Sequence, residues 1–101
     1  MVDEPLSKNT DLNFSVALEL IKFGYKLARA GWNGKDMFIY LVQGSEFVVN
    51  RPPLNAFYAE GTKVKYHAHI DMKTAQGYCV PWIASQADML ADDYYVVQDA
   101  A

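Results

Sequence analysis

Hydrophobic and polar positions alternate most regularly over residues 65–73. Lys65, His67, His69, Asp71 and Lys73 fall on one face and Tyr66, Ala68, Ile70 and Met72 on the other. This is the period-two pattern of a single half-buried strand. Thr74-Ala75-Gln76-Gly77 reads as a turn, and Tyr78-Cys79-Val80 as a returning strand that Pro81 ends. Ser85 and Asp88 have the spacing of a capping box, which predicts a short helix over Gln86–Leu90. Asp92-Asp93 breaks it, and Tyr94–Val97, aromatic and β-branched, reads as a last strand.

Nearer the N-terminus the period becomes helical. Asn13 is an N-cap for a helix over Phe14–Phe23, in which Phe14, Ala17, Leu18 and Ile21 form one apolar stripe. Gly24 ends it in the C′ position. Tyr25–Ala30 alternates as a strand. Gly31-Trp32-Asn33-Gly34 is a turn in which both glycines are free to take positive φ. Asp36–Gln43 is the next strand, Gly44-Ser45 the next turn, and Phe47–Val49 a further short strand. Arg51-Pro52-Pro53 interrupts the pattern, and 52–62 is expected to be irregular. The economical fold is α+β, an antiparallel β-sheet with an N-terminal helix and a short second helix near the C-terminus. A flexible arm is expected over 1–12, followed by one domain over 13–101.

Composition narrows the function. The 101 residues, half of them apolar, suffice for one modest core and no separate catalytic lobe. A net charge of −3 argues against general nucleic-acid binding but leaves room for a small phosphorylated ligand. The single cysteine, Cys79, admits no internal disulfide, and a reducing cytoplasm is the expected compartment. The polar, acidic N-terminus reads neither as a signal peptide nor as a membrane span.

Few residues offer catalysis. His67, His69 and Asp71 share one face of the predicted strand and are a candidate metal site for a small hydrolase. Side chains two apart on a strand splay by about 6–7 Å, however, and no fourth ligand is evident. A polar sheet face is the stronger reading. Cys79, expected to be buried in its strand and without a neighbouring base, reads as structural. Asp92-Asp93 reads as turn or solvated charge, and no glycine-rich phosphate loop occurs.

The two tryptophans carry more information. Trp32 in a turn and Trp82 after a proline each have about 250 Å² to cover. They are either plugs for the core or stacking walls for a flat base. Stacking of that kind contributes about 1–3 kcal/mol per base. Asn33, Ser85, Gln86 and Asp88 stand beside them as hydrogen-bonding partners. The amides opening the 86–90 helix are a candidate phosphate site. Lys26, Arg29, Lys35, Arg51, Lys63 and Lys65 are the available cations.

Three ordered motifs resemble one family. A-R-x-G-W-N-G-K-x-M-F (Ala28–Phe38), H-I-D-M-K-T-A-x-G (His69–Gly77) and V-P-W-x-A-S-Q-x-D-M-L-A-x-D (Val80–Asp93) are similar to the Thoeris anti-defence family of the second type, small phage proteins. The likeness spans roughly residues 13–98, with no matched motif over Ser45–Thr62, and Asp93-Tyr94 stands where Asp-Trp is common. The resemblance implies a sponge that sequesters a glycocyclic ADP-ribose isomer without cleaving it. It further implies a homotetramer with pockets where protomers meet and, in some members, a separate site for cyclic oligonucleotides of the CBASS pathway. It calls for no cofactor, metal, nucleic acid or membrane, and for action in the cytoplasm of the bacterial host. Residues and resemblance together nominate Arg29, Trp32, Asn33, Phe38, His69, Asp71, Trp82, Ser85, Gln86 and Asp88 as ligand-binding.

Overall fold

A computed structural model describes residues 9–99. Helix α1 (Phe14–Lys22) begins where expected, because the Asn13 side chain accepts from the Val16 N–H, and it stops at Gly24, whose φ of 102° suits glycine. The strands are β1 (Lys26–Arg29), β2 (Phe38–Val42), β3 (Ser45–Val48), β4 (Lys63–Tyr66), β5 (His69–Lys73), β6 (Cys79–Pro81) and β7 (Tyr94–Val97). Five of them form an antiparallel sheet in the order β6-β5-β2-β1-β7, while β3 and β4 pair separately. The short helices are α2 (Leu54–Phe57) and α3 (Gln86–Met89). The fold is α+β, as the patterns predict.

Helix α1 lies across β1, β2 and β7. Ala17, Leu20 and Ile21 meet Leu27, Ile39 and Tyr94 in the core. The predicted stripe shifts slightly in the structure, since Leu20 is buried and Leu18 half-buried. Strand alternation directs Leu27, Ile39, Leu41, Ile70 and Met72 to this side. The other side carries Lys26, Phe38, Tyr40, His69, Asp71 and Lys73. Of the arm expected over 1–12, residues 1–8 lie outside the described residues. Leu12 pairs with Tyr94 through bonds of 3.0 Å in both directions and is buried, so the segment docks on β7 from Asn9 onward.

Three local expectations change. The strand predicted over 65–73 is two strands in two sheets, broken at His67-Ala68. Opposite that break, Gln43-Gly44 separates β2 from β3. The β3–β4 ribbon is therefore the β2–β5 pair continued past a kink. Gly44 permits the kink, because a Cβ there would lie 2.9 Å from the Tyr66 carbonyl oxygen. The region 52–62 contains α2, which follows a cis Pro52-Pro53 bond. Neither Gly31 nor Gly34 takes positive φ; each is needed for close approach, with Asp93 Oδ2 2.9 Å and Ala75 Cβ 2.7 Å from where its Cβ would stand.

Candidate functional site

Residues 30–37 connect β1 to β2 with neither helix nor strand of their own, so side chains must hold them. Two carboxylates from far along the chain do this. Asp93 Oδ1 accepts from Arg29 Nε at 2.9 Å, Asp93 Oδ2 from the Gly31 N–H at 2.9 Å, and the Asp93 carbonyl from the Ala30 N–H at 3.0 Å. Asp88 Oδ1 accepts from Arg29 Nη1 at 2.8 Å and from the Trp32 indole N–H at 3.4 Å. Asp88 is fixed in turn by the predicted capping box, which forms with Ser85 N→Asp88 Oδ2 and Asp88 N→Ser85 Oγ both at 3.0 Å. The Tyr94 hydroxyl donates to the Asp88 carbonyl at 2.6 Å.

This clasp is part-buried, with Asp88 the most enclosed of its members, and its bonds are charge-assisted and correspondingly strong. The Arg29 hydrogen bond holds the Asp93 carboxyl below the usual carboxylate range. For Asp88, burial is the largest influence and pushes upward. The hydrogen bonds from Ser85, Arg29 and Trp32 together outweigh it, so the net shift is downward. The bonds that Arg29 donates, to Asp93 first and then to Asp88, raise its own titration. Burial pushes the Tyr94 hydroxyl up to about 12.

Above the clasp stands an aromatic cluster. Trp32 and Trp82 meet edge to face, with centroids 6.4 Å apart and planes at 67°, and Phe14 packs against Trp82 at 6.4 Å. Both indoles pack on the core and both remain partly exposed. They meet at an angle, so within one protomer they form a corner and not two parallel walls. Asn33 and Gln86 are exposed nearby in sequence to each ring.

The nominated residues therefore divide. Trp32 and Trp82 form the aromatic corner, and Asn33 and Gln86 are exposed one and four residues along the chain from them. Arg29 and Asp88 are turned inward and form the clasp, while Ser85, itself exposed, fixes Asp88 through the capping box; the Asp88 amide, among those expected to receive phosphate, is already bonded to Ser85 Oγ. Phe38, His69 and Asp71 lie on the opposite side of the sheet. There, Lys26 and Lys73 ammoniums approach the Phe38 ring at 4.8 and 5.6 Å. His69 Nε2 lies 3.4 Å from Asp71 Oδ1, and its Nδ1 3.1 Å from the His67 carbonyl. His67 occupies the kink, outside either strand, so the strand-borne ligand set required by the hydrolase reading does not form. Among the described residues no three His, Cys, Asp or Glu side chains are grouped to hold a metal. Cys79, expected in the interior, is exposed on the edge strand β6 and reaches the Tyr40 hydroxyl, whose titration is raised to about 12 chiefly by that hydrogen bond.

Three residues take roles that the sequence reading does not give them. Phe14, expected in the core stripe, also packs against Trp82; Asp93, expected as turn or solvated charge, anchors Arg29 and Gly31; and Tyr94, expected only as part of the last strand, bonds the Asp88 carbonyl. A further concavity of about 380 Å³, lined by Asn50, Arg51, Pro52, Phe47 and Tyr66 among others, lies on the kinked ribbon in the unmatched segment. Among the described residues no helix is long and apolar enough to cross a membrane.

The model of the Thoeris anti-defense 2-like domain matches residues 12–97. That range runs from Leu12, the first core residue, to the last residue of β7. The chain is also 33% identical over 98 residues to Thoeris anti-defense 2 of Bacillus phage SP01, covering 87% of this chain and 97% of that protein. The matched range takes in the whole sheet, the clasp and both tryptophans, and on these two findings the chain belongs to the Thoeris anti-defense 2-like family.

Proposed function

We propose that this is a phage anti-defence protein that binds and sequesters a glycocyclic ADP-ribose signal of Thoeris immunity and releases it unaltered. The observation that carries the reading is the Trp32–Trp82 corner, partly exposed and anchored from beneath by the Arg29–Asp88–Asp93 clasp. Such a surface suits a nucleobase, and Asn33 and Gln86 supply polar groups at its margins. A signal that must be kept from its receptor needs binding on the order of nanomolar, about −12 kcal/mol. One base stack supplies about 1–3 kcal/mol, so the corner is a minority of the site.

The remainder is best supplied by a second protomer. We infer a homotetramer in which the corner is completed across a subunit boundary, in the cytoplasm of the bacterial host. Large apolar side chains stand ready for such contacts: Ile83 is 89% and Leu90 77% exposed, close in sequence to Trp82 and α3. The ribbon concavity, with Arg51 as cation and Phe47 and Tyr66 as flat surfaces, is the place for a second ligand of the cyclic oligonucleotide class. Phe38, His69 and Asp71, remote from the corner within one protomer, would contribute only if a partner brings that side of the sheet to the ligand.

Native mass spectrometry of the protein co-produced with an active TIR-domain enzyme tests this reading. Four subunits carrying a mass increment equal to the intact cyclic nucleotide are expected; a ligand-free monomer would contradict it.

A further inference from the structure

We propose that Asp93, which touches no part of the ligand surface, is the positioning residue that presents Trp32; the inference rests on the reading of the tryptophan corner as the ligand site. Its carboxylate accepts from the Arg29 guanidinium and from the Gly31 amide, and its main-chain carbonyl from the Ala30 amide between them. The next residue is Trp32, whose own amide closes the turn on the Arg29 carbonyl at 3.2 Å. The backbone that carries the ring is thus set by Asp93. The ring itself is oriented by Asp88, and Arg29 ties the two carboxylates together. Gly31 fits the same design, since a Cβ there would stand 2.9 Å from Asp93 Oδ2 and push the loop off its anchor.

The alternative roles are weaker. Asp93 faces inward onto Arg29, its side chain about one-third exposed, whereas the neighbouring Asp92 is exposed. An ion pair serving only to join β1 to β7 would have no reason to engage a loop amide, that of Gly31, with its second carboxylate oxygen. A loop without regular structure loses its order when such bonds go, and ordering it again on binding raises the dissociation constant.

The test uses full-length protein labelled with 5-fluorotryptophan, the glycocyclic ADP-ribose product of a TIR-domain enzyme as probe, and the variants Asp93→Asn, Gly31→Ala and Asp92→Asn. Asp93→Asn and Gly31→Ala are expected to broaden or split the Trp32 fluorine resonance, leave that of Trp82 single, and weaken binding about tenfold through faster dissociation. Asp92→Asn is expected to change neither. A sharp, single Trp32 resonance with unchanged affinity in both Asp93→Asn and Gly31→Ala, even with a lowered melting temperature, would overturn the inference. Should either variant fail to fold, the other decides. If the wild type binds no probe, the ligand reading fails, and the Trp32 resonance alone still decides whether Asp93 positions the ring.

Discussion

Asp88 combines a capping-box carboxylate, an arginine partner and a tryptophan acceptor in one side chain, so its substitution should be felt in stability and in binding together. The pH dependence follows from the direction of the shifts. Asp88 and Asp93 are both held below their ordinary values, so their stabilisation is fully present above the unfolded-state value of about 3.9. It is lost as pH falls through the lower folded-state values. Melting temperatures measured from pH 7 downward should stay nearly level to about pH 5 and then fall, with a shallower fall in Asp93→Asn. Tyr94 acts at the other end. Its titration is pushed up to about 12, so its contribution is present below about pH 10 and fades above it. Tyr94→Phe deletes one bond to the Asp88 carbonyl, which keeps other donors, and should cost about 1 kcal/mol in denaturant unfolding. On the ligand side, Trp32→Ala and Trp82→Ala should each weaken binding by roughly 1–3 kcal/mol in calorimetric titration. A loss of stability with no loss of affinity would mark them as core plugs only.

At the scale of elements, the parts legible in the sequence were those fixed locally. Asn13, Gly24 and the Ser85/Asp88 pair define helix ends through contacts a few residues long, and each end falls where the sequence puts it within a residue or so. The β5–β6 hairpin was equally legible, because Thr74 and Gly77 close its turn. The break at His67-Ala68 was not. Side-chain alternation runs straight through it, and alternation does not report which strand lies alongside. The physical cause sits on the opposing strand, at Gly44. Gly44→Ala should therefore destabilise by about 1–3 kcal/mol, with exchange protection lost first in β3 and β4, measurable by amide hydrogen exchange. The candidate site was legible by residue type and not by role. The tryptophans were identifiable as bulky rings in turns. That Arg29 would spend its charge on carboxylates 59 and 64 positions away is a tertiary fact with no local trace.

The whole molecule shows one sheet with a helix on one side, a kinked ribbon leaving it, and two tryptophans gathered on the helical side over a part-buried ionic clasp. Two of its most exposed apolar side chains, Ile83 and Leu90, follow closely on Trp82 in the sequence. Ile83→Glu combined with Leu90→Glu should lower the subunit number seen by light scattering and weaken ligand binding with it, if the corner is completed by a partner. Within such an assembly the chemistry required is retention, for which aromatic surface, polar margins and rigidity suffice. The most direct measurement is mass spectrometry of the small molecule liberated by heating the purified, ligand-loaded protein. Sequestration predicts the same glycocyclic ADP-ribose isomer that was supplied, in stoichiometric yield. Recovery of a product heavier by one water, or of no nucleotide at all, would contradict it.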